Sequence, residues 1–300
     1  MSGPPPLAEL RLRAQELLPD GSSAESARVQ LCLHAREMEA ALGPALRTTE
    51  PGPLHDARVA GRRLRAGITL FQRLYPGRWH ATVDMARDVT RGFRDARDLD
   101  IRRVRLERLS RRLGRKECAC RALFSRLVHR SKAERRVHGP ETALTGIAFG
   151  PVVSYLWKPR RANSAESDRF AQVWLHELSV ITQNTVPAAS VEAHGGVQHR
   201  LRIRGKALRY SLEMMHWRLG EEARWRISVL RGVQDVLGEL HDIDVFLEYI
   251  RGLSTASAPS ERGCLREAAG LLGEERHRFF GRFLDQRADL ERACLPVKVR

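Results

Sequence analysis

One eleven-residue pattern occurs twice in this chain. Residues 55–65 read HDARVAGRRLR, and residues 199–209 read HRLRIRGKALR. His55 aligns with His199 at an offset of 144 residues (199 minus 55), and arginines and a glycine that follow align at the same offset. Self-similarity at a fixed offset is the sequence signature of a structural unit that is used twice.

A second pair of motifs keeps this offset. RDLDI at 97–101 aligns with HDIDV at 241–245, again 144 residues apart (241 minus 97). A single match could arise by chance in an arginine-rich chain, but two separate motifs that preserve one spacing favour a duplication. We therefore infer two similar halves.

The periodicity of apolar residues predicts the fold class. Apolar residues recur at three- and four-residue spacing through most of the chain, and the alternation typical of strands is hard to find, so we predict an all-α fold. The predicted helices span 24–42, 54–75, 78–94, 98–113, 117–134, 166–186, 197–218, 221–238, 241–253 and 260–292.

Helix breakers divide the predicted helices into two groups. The stretch 138–163 contains Pro140, Gly146, Gly150, Pro151 and Pro159, which predict a connector, and its apolar residues predict that the connector is packed. The expected organisation is an N-terminal segment (1–21), a first helical half (22–137), the connector (138–163), a second helical half (164–292) and a basic tail (293–300).

Each copy of the repeated pattern places its cations on one side of a helix. At about 100° per residue, the histidine and the cations three, seven and ten positions later fall within an arc of about 80°. We call these sets the first stripe (His55, Arg58, Arg62 and Arg65) and the second stripe (His199, Arg202, Lys206 and Arg209). Apolar residues lie on a neighbouring face of each helix and predict the side that enters the core, with Gly61 and Gly205 at points of close helix packing.

Charge predicts the kind of partner. The chain has 52 Lys and Arg against 36 Asp and Glu, a formal net charge of +16, and a pI near 10.7. Phosphate polymers, nucleic acid and acidic membranes are therefore the candidate partners. A row of like charges at helical spacing costs several tenths of a kcal/mol per close pair, so each stripe needs a bound anion or acidic neighbours such as Asp98 and Asp242.

At these residues the sequence resembles the CHAD family, the conserved histidine α-helical domain. The resemblance rests on HDARVAGRRLR and HRLRIRGKALRYSLE, with RDARDLDI and LGELHDIDV as companion segments, and it covers about residues 22–292. It implies two pseudo-symmetric four-helix bundles that form one unit. It also implies binding of inorganic polyphosphate along a basic surface, and association with polyphosphate granules.

The resemblance carries a set of contacts onto this chain. The implied polyphosphate contacts are the first and second stripes: His55, Arg58, Arg62, Arg65, His199, Arg202, Lys206 and Arg209. Arg63, Arg97 and His241 are additional candidates. The repeat is not strict at two aligned positions: Arg97 aligns with His241, and Arg62 aligns with Lys206. Relatives that carry a triphosphate tunnel domain have a Glu-x-Glu-x-Lys motif; here Glu37-Met38-Glu39 is followed by two alanines, so we expect no catalysis by that route.

The cysteines and the N-terminus predict the compartment. The five cysteines form neither a CxxC pair nor an even disulfide framework, which favours a reducing compartment. The N-terminus lacks an apolar signal core, and no apolar stretch approaches the length of a membrane span. We expect a cytoplasmic protein with no membrane partner, no metal and no cofactor.

Two other functions compete with polyphosphate binding. A nucleic-acid binder is favoured by the same charge, but aromatics make up only 6% of the chain and only Tyr210 lies at the edge of a stripe. A metal phosphohydrolase of the HD type is suggested by His55-Asp56 and His241-Asp242, yet Asp56 aligns with Arg200 and the surrounding cations oppose a metal. For the repeated aspartates Asp98, Asp100, Asp242 and Asp244, ion pairing or helix capping is favoured over acid–base chemistry.

Overall fold

The computed structural model describes residues 3–18, 22–48, 51–75, 77, 79–113, 118–137, 144, 147–158, 164–192 and 195–296. The regular elements of this described part are helices, so the all-α prediction is confirmed. They are α1 (Leu7–Gln15), α2 (Ser23–Arg47), α3 (Pro51–Leu70), a 3-10 turn (Gln72–Leu74), α4 (Trp79–Gly92), α5 (Arg94–Leu113), α6 (Cys118–Val137), α7 (Phe149–Leu156), α8 (Ser164–Gln183), α9 (Val186–Ala189), α10 (Gly195–Ala256), α11 (Pro259–Asp285) and α12 (Arg287–Ala293).

Helix α10 replaces three shorter helices of the prediction. It runs for 62 residues, and its one interruption is a kink at Gly220, where φ is 60° and ψ is −139°. The left-handed φ is open to glycine without the steric penalty of a Cβ atom, which explains why the chain bends there. The break expected near 238–241 is wrong, because the helix continues through this stretch with Leu240 and Ile243 buried.

Two helices lie in segments for which no helix was predicted. Helix α1 lies within the N-terminal segment, and α7 lies within the connector. Pro151 occupies the first turn of α7, where backbone N–H groups have no partner inside the helix, so this proline begins the helix instead of breaking it. Phe149, Val153 and Leu156 of α7 are buried, as expected for a packed connector.

Part of the predicted organisation lies outside the described residues. This applies to 138–143, 145–146 and 159–163 of the connector and to 297–300 of the basic tail. The boundaries between the two halves, and their division into two four-helix bundles, stay predictions.

The buried apolar residues form two clusters. The larger one includes Leu31 of α2, Leu64 of α3 and Leu208 of α10. The smaller one joins α5 and α6 to the C-terminal part of α10 and to α11, with Phe124 and Phe246 among its members. Each cluster therefore contains residues from both predicted halves.

A disulfide joins Cys120 of α6 to Cys264 of α11 inside the smaller cluster. The two residues are separated by 144 positions, which is the offset of the internal repeat. We expected the cysteines to form no disulfide framework, and this expectation is wrong. The cysteines therefore do not support the inference of a reducing compartment. Spacing along the chain does not reveal a bond between equivalent positions of two repeats, since only the fold brings them together. Cys32 and Cys294 are buried free thiols.

The repeated glycines contact equivalent residues. A Cβ atom on Gly61 would lie 2.9 Å from Thr90 Oγ1 and 3.3 Å from the Ala86 carbonyl oxygen. On Gly205 it would lie 3.7 Å from Gln234 Nε2 and 4.0 Å from Leu230 Cδ2. Gln234 and Leu230 stand 144 positions after Thr90 and Ala86, so the repeat is present in the packing as well as in the sequence.

Candidate anion-binding groove

The two stripes lie on α3 and α10, and the core face of each helix orients its stripe. The predicted core residues are buried on both helices: Ala57, Gly61, Leu64, Ile68 and Phe71 on one side, and Leu201, Gly205, Leu208, Leu212 and Met215 on the other. Since these faces are fixed in the core, the neighbouring cationic faces point toward a common space.

That space is a cavity of about 1480 Å³, which we call the main groove. Helices α3, α5, α10 and α11 contribute to its walls. Ten of the eleven predicted residues line it: His55, Arg58, Arg62, Arg63, Arg97, His199, Arg202, Lys206, Arg209 and His241. Val59 and Ile203, which flank the two stripes, line it as well.

The cations of the main groove lower one another's pKa within the first stripe, and Arg62 does so across the groove to the second stripe. Burial, and then the charge of Arg62 from the first stripe, lower the pKa of Arg58 to about 10. In the second stripe, burial and the charges of Arg202, Arg62 and Arg209 lower the pKa of Lys206 to about 6. Burial and neighbouring cations therefore disfavour the charged forms of these groups, and a bound anion would offset that repulsion.

Arg65 is the predicted residue that does not line the main groove. Burial lowers its pKa, and after burial come the charges of Arg87, Arg62 and Arg91, two of which belong to α4. Its repeat equivalent, Arg209, lies 3.2 Å from Glu213 and does line the groove. The position equivalent to Glu213 in the first half is Thr69, whose hydroxyl bonds to the Arg65 carbonyl oxygen, so the first half lacks this carboxylate.

Glu213 organises arginines from three places in the chain. Its Oε2 accepts a hydrogen bond from Arg63 Nε at 3.0 Å, and its Oε1 lies 3.2 Å from Arg209 and 3.8 Å from Arg231. The glutamate side chain is 13% exposed. It neutralises part of the positive charge and holds the first and second halves in register at the groove.

The histidines of the groove differ in their surroundings. The rings of His199 and His241 lie 4.2 Å apart between centroids. Burial, followed by His199 and Arg202, lowers the pKa of His241 to about 4, and burial with Arg202 and Lys206 also lowers the pKa of His199. His55 is exposed, and burial of part of its ring together with Arg97 lowers its pKa. Burial and neighbouring cations therefore favour the neutral form of all three rings.

Four arginines of the groove were not predicted: Arg94, Arg108, Arg231 and Arg282. The repeat contained a signal for one of them, because Arg231 stands 144 positions after Arg87, and both lie beside the last arginine of their stripe. Arg94, Arg108 and Arg282 lie on α5 and α11, whose approach to the stripes depends on tertiary packing.

The repeated aspartates divide into two pairs. Asp100 pairs with Arg135 at 3.2 Å and Asp244 with Arg276 at 2.6 Å, which are structural ion pairs, as expected for these two residues. Asp98 and Asp242 line the groove. Through its negative charge, Asp98 favours the charged form of Arg58, and Asp242 favours that of Arg202. Burial raises the pKa of both carboxyl groups.

Nothing in the described part of the chain resembles a metal centre: no three side chains of the His, Cys, Asp or Glu type converge there. His241, which was considered as part of an HD site, packs against His199 instead. Among the described helices, none combines the length and apolar character of a membrane span.

Comparison with known proteins gives a family. The CHAD domain family model matches residues 29–251. None of the curated proteins searched matches this chain. A crystal structure of the CHAD domain from the plant Ricinus communis is similar with a TM-score of 0.65 at 20% identity, over 94% of this chain and 95% of that one. PptA from Streptomyces chartreusis is similar with a TM-score of 0.60 at 16% identity, over 91% of this chain and 99% of that one. At these identities the two structures support the fold, and the match of the family model over most of the sequence shows that the chain belongs to the CHAD family.

Proposed function

We propose that this protein binds inorganic polyphosphate in the main groove, as a binding protein and not as an enzyme. The observation that carries the proposal is that cations of both stripes line one cavity, across which Arg62 of the first stripe lowers the pKa of Arg202 and Lys206 in the second. The family to which the chain belongs agrees with this function.

The chemistry of the groove fits a flexible polyanion. Polyphosphate carries about one negative charge per residue and has no base to recognise, so its binding depends on repeated cationic donors. The planar guanidinium group of arginine holds two phosphate oxygens at once and stays charged at cellular pH. The walls of the groove exclude part of the solvent, which strengthens each contact over its value on an open surface.

Nucleic acid fits the same groove less well. The two aromatic residues other than histidine that line it are Tyr210, which is buried, and Phe279. Arg209 lies over the Tyr210 ring at 4.5 Å, and Arg282 over the Phe279 ring at 5.2 Å. An arginine therefore already lies over one face of each ring, whereas stacking of bases on aromatic rings supplies much of the affinity for single strands.

The test is a binding titration of the full chain with size-defined polyphosphate. In the groove variant, Arg58, Arg62, Arg202 and Arg209 are replaced together by alanine. The control variant replaces four exposed arginines that do not line the main groove, Arg111, Arg169, Arg251 and Arg266. Both variants lose the same net charge, so a difference between them reports the position of the cations and not their number.

We expect the groove variant to lose binding by a factor of at least about 100 and the control variant to keep most of it, with helical content unchanged in both. Affinity should fall steeply with salt, by analogy with counterion release from nucleic acid. Equal losses in the two variants would refute a specific groove. If duplex or single-stranded DNA displaces polyphosphate at equal phosphate concentration, the nucleic-acid function is favoured instead.

The family resemblance also leads us to propose an association with polyphosphate granules in the cytoplasm. A fluorescent fusion of the full chain should collect at granules, and the groove variant should remain dispersed. Granule labelling that survives loss of the groove cations would show that another surface directs it.

A further inference from the structure

A second, smaller cavity lies beside the main groove. Its volume is about 200 Å³, and we call it the side cleft. It is lined by four arginines, Arg105, Arg108, Arg112 and Arg278, together with Glu275 and three leucines. None of the residues predicted from the repeat lines it.

The side cleft continues the main groove between α5 and α11. Arg108 lines both cavities. On α5, the chain runs from Ile101 in the main groove toward Arg112 in the side cleft. On α11, it runs the other way, from Arg278 in the side cleft to Arg282 in the main groove. The two helices therefore run in opposite directions as walls of one crevice. Four residues of helix correspond to about 6 Å, so each wall presents a new guanidinium group one turn beyond the last.

The arginines of the side cleft differ in their partners. Arg105 is buried, and it pairs with Glu239 at 2.9 Å and with Glu275 at 3.9 Å. Arg108, Arg112 and Arg278 are exposed, and none of the carboxylates in the described part of the chain forms an ion pair with them.

The charge of the cleft is consequently uncompensated. The single carboxylate among the lining residues, Glu275, pairs with Arg105. The other three guanidinium groups therefore line a cavity whose remaining walls are leucines. Exposed guanidinium groups that no carboxylate neutralises attract anions. Since Arg108 lines both cavities, the anion with the best access is the free end of a chain that already occupies the main groove.

We infer that the side cleft is an extension site, in which Arg108, Arg112 and Arg278 bind the part of a long linear polyphosphate that extends beyond the main groove. The inference rests on the proposed function. It assigns a chain-length preference to the protein: short chains bind in the main groove alone, and longer chains gain the additional contacts of the cleft.

The experiment compares polyphosphates of defined length with the full chain. The cleft variant is Arg112→Ala with Arg278→Ala, which leaves Arg108 and the main groove intact. The matched control is Arg111→Ala with Arg266→Ala, which removes one exposed arginine from each of the same two helices at positions that line neither cavity. Affinity is measured for a short and a long polyphosphate over a salt series.

For the long chain, the cleft variant should lose affinity on the order of tenfold, and the slope of log affinity against log salt should decrease in magnitude by about 2, one for each lost phosphate contact. For the short chain, cleft and control variants should bind alike. If the unmodified protein binds long chains and the cleft variant matches the control for both lengths, the extension site is wrong while the main groove stands. If the unmodified protein binds neither length, the proposed function itself fails, and the extension site fails with it.

Discussion

Arg63 Nε donates a hydrogen bond to Glu213 Oε2 at 3.0 Å and thereby links α3 to α10. Arg63 lies in the first copy of the repeated pattern, and Glu213 follows the second copy by one helical turn. The same carboxylate also neutralises Arg209 and Arg231. One carboxylate therefore links the two stripes in addition to the core that they share.

Replacing this carboxylate should weaken the fold. In Glu213→Gln, the three arginines lose their counter-charge while the shape of the side chain is kept, and we expect a loss of about 1–3 kcal/mol in the free energy of unfolding. Urea denaturation measures it. The control is Glu221→Gln, whose pair with Arg224 is exposed on both sides and should contribute about 0.5 kcal/mol or less. Equal effects of the two changes would show that Glu213 has no special role.

In the absence of polyphosphate, the free energy of unfolding of the protein should increase as pH rises. The pKa of Lys206 is lowered to about 6 from an ordinary value of 10.5, first by burial and then by Arg202, Arg62 and Arg209. Between these two values the unfolded chain binds the proton that the folded chain releases, so the free energy of unfolding increases with pH across this window.

The variant Lys206→Met tests this cause. It removes the titrating group and keeps the apolar stem, so the empty protein should become more stable at pH 7 and its pH dependence above pH 6 should flatten. Thermal unfolding at several pH values measures both effects. A variant that keeps the slope of the unmodified protein would assign the dependence to other groups.

Polyphosphate binding should take up protons. Phosphate oxygens beside Lys206, His199 and His241 favour the charged forms of these groups and raise their pKa values from the lowered values of the empty groove. Affinity should therefore increase as pH falls from about 8 to 6. Calorimetry with a long polyphosphate in buffers of different ionisation enthalpy measures the uptake directly, and heats independent of the buffer would contradict it.

Loss of the Cys120–Cys264 disulfide should destabilise the protein. The bond closes a loop of 144 residues between α6 and α11 in the smaller core, and disulfides of long loops contribute about 2–5 kcal/mol. A reducing agent should lower the unfolding temperature of the unmodified protein but not that of the double variant Cys120→Ser/Cys264→Ser. An unfolding temperature that is insensitive to reductant in both proteins would show that the bond does not contribute.

The two repeated glycines should respond differently to alanine. At Gly61, the new Cβ atom would meet Thr90 Oγ1, which is held by a hydrogen bond to the Ala86 carbonyl oxygen at 2.7 Å, so Gly61→Ala should cost about 1–3 kcal/mol. At Gly205 the new Cβ atom would lie 3.7 Å from Gln234 Nε2, and Gly205→Ala should stabilise the protein by up to about 1 kcal/mol through helix propensity. Chemical denaturation of the two variants compares them. The same sign at both positions would mean that the packing around the two glycines is more alike than the distances indicate.

The sequence by itself determined the helical class, the duplication and the side of each repeated helix that carries the cations. These properties are local: the helical period sets which residues share a face, and burial of Leu64 and Leu208 then follows from that face. Even the disulfide was present in the sequence as two cysteines at the offset of the repeat, although spacing alone gave no reason to pair them.

Tertiary structure decided which cations meet. It placed Arg65 among arginines of α4 and Arg209 at the groove beside Glu213, which has no acidic equivalent in the first half. It also brought Arg94, Arg108 and Arg282 to the stripes from helices far away in sequence. The periodicity of a single helix contains no information about its neighbours, so the shape and the charge of the groove emerge only when the helices pack around their common core.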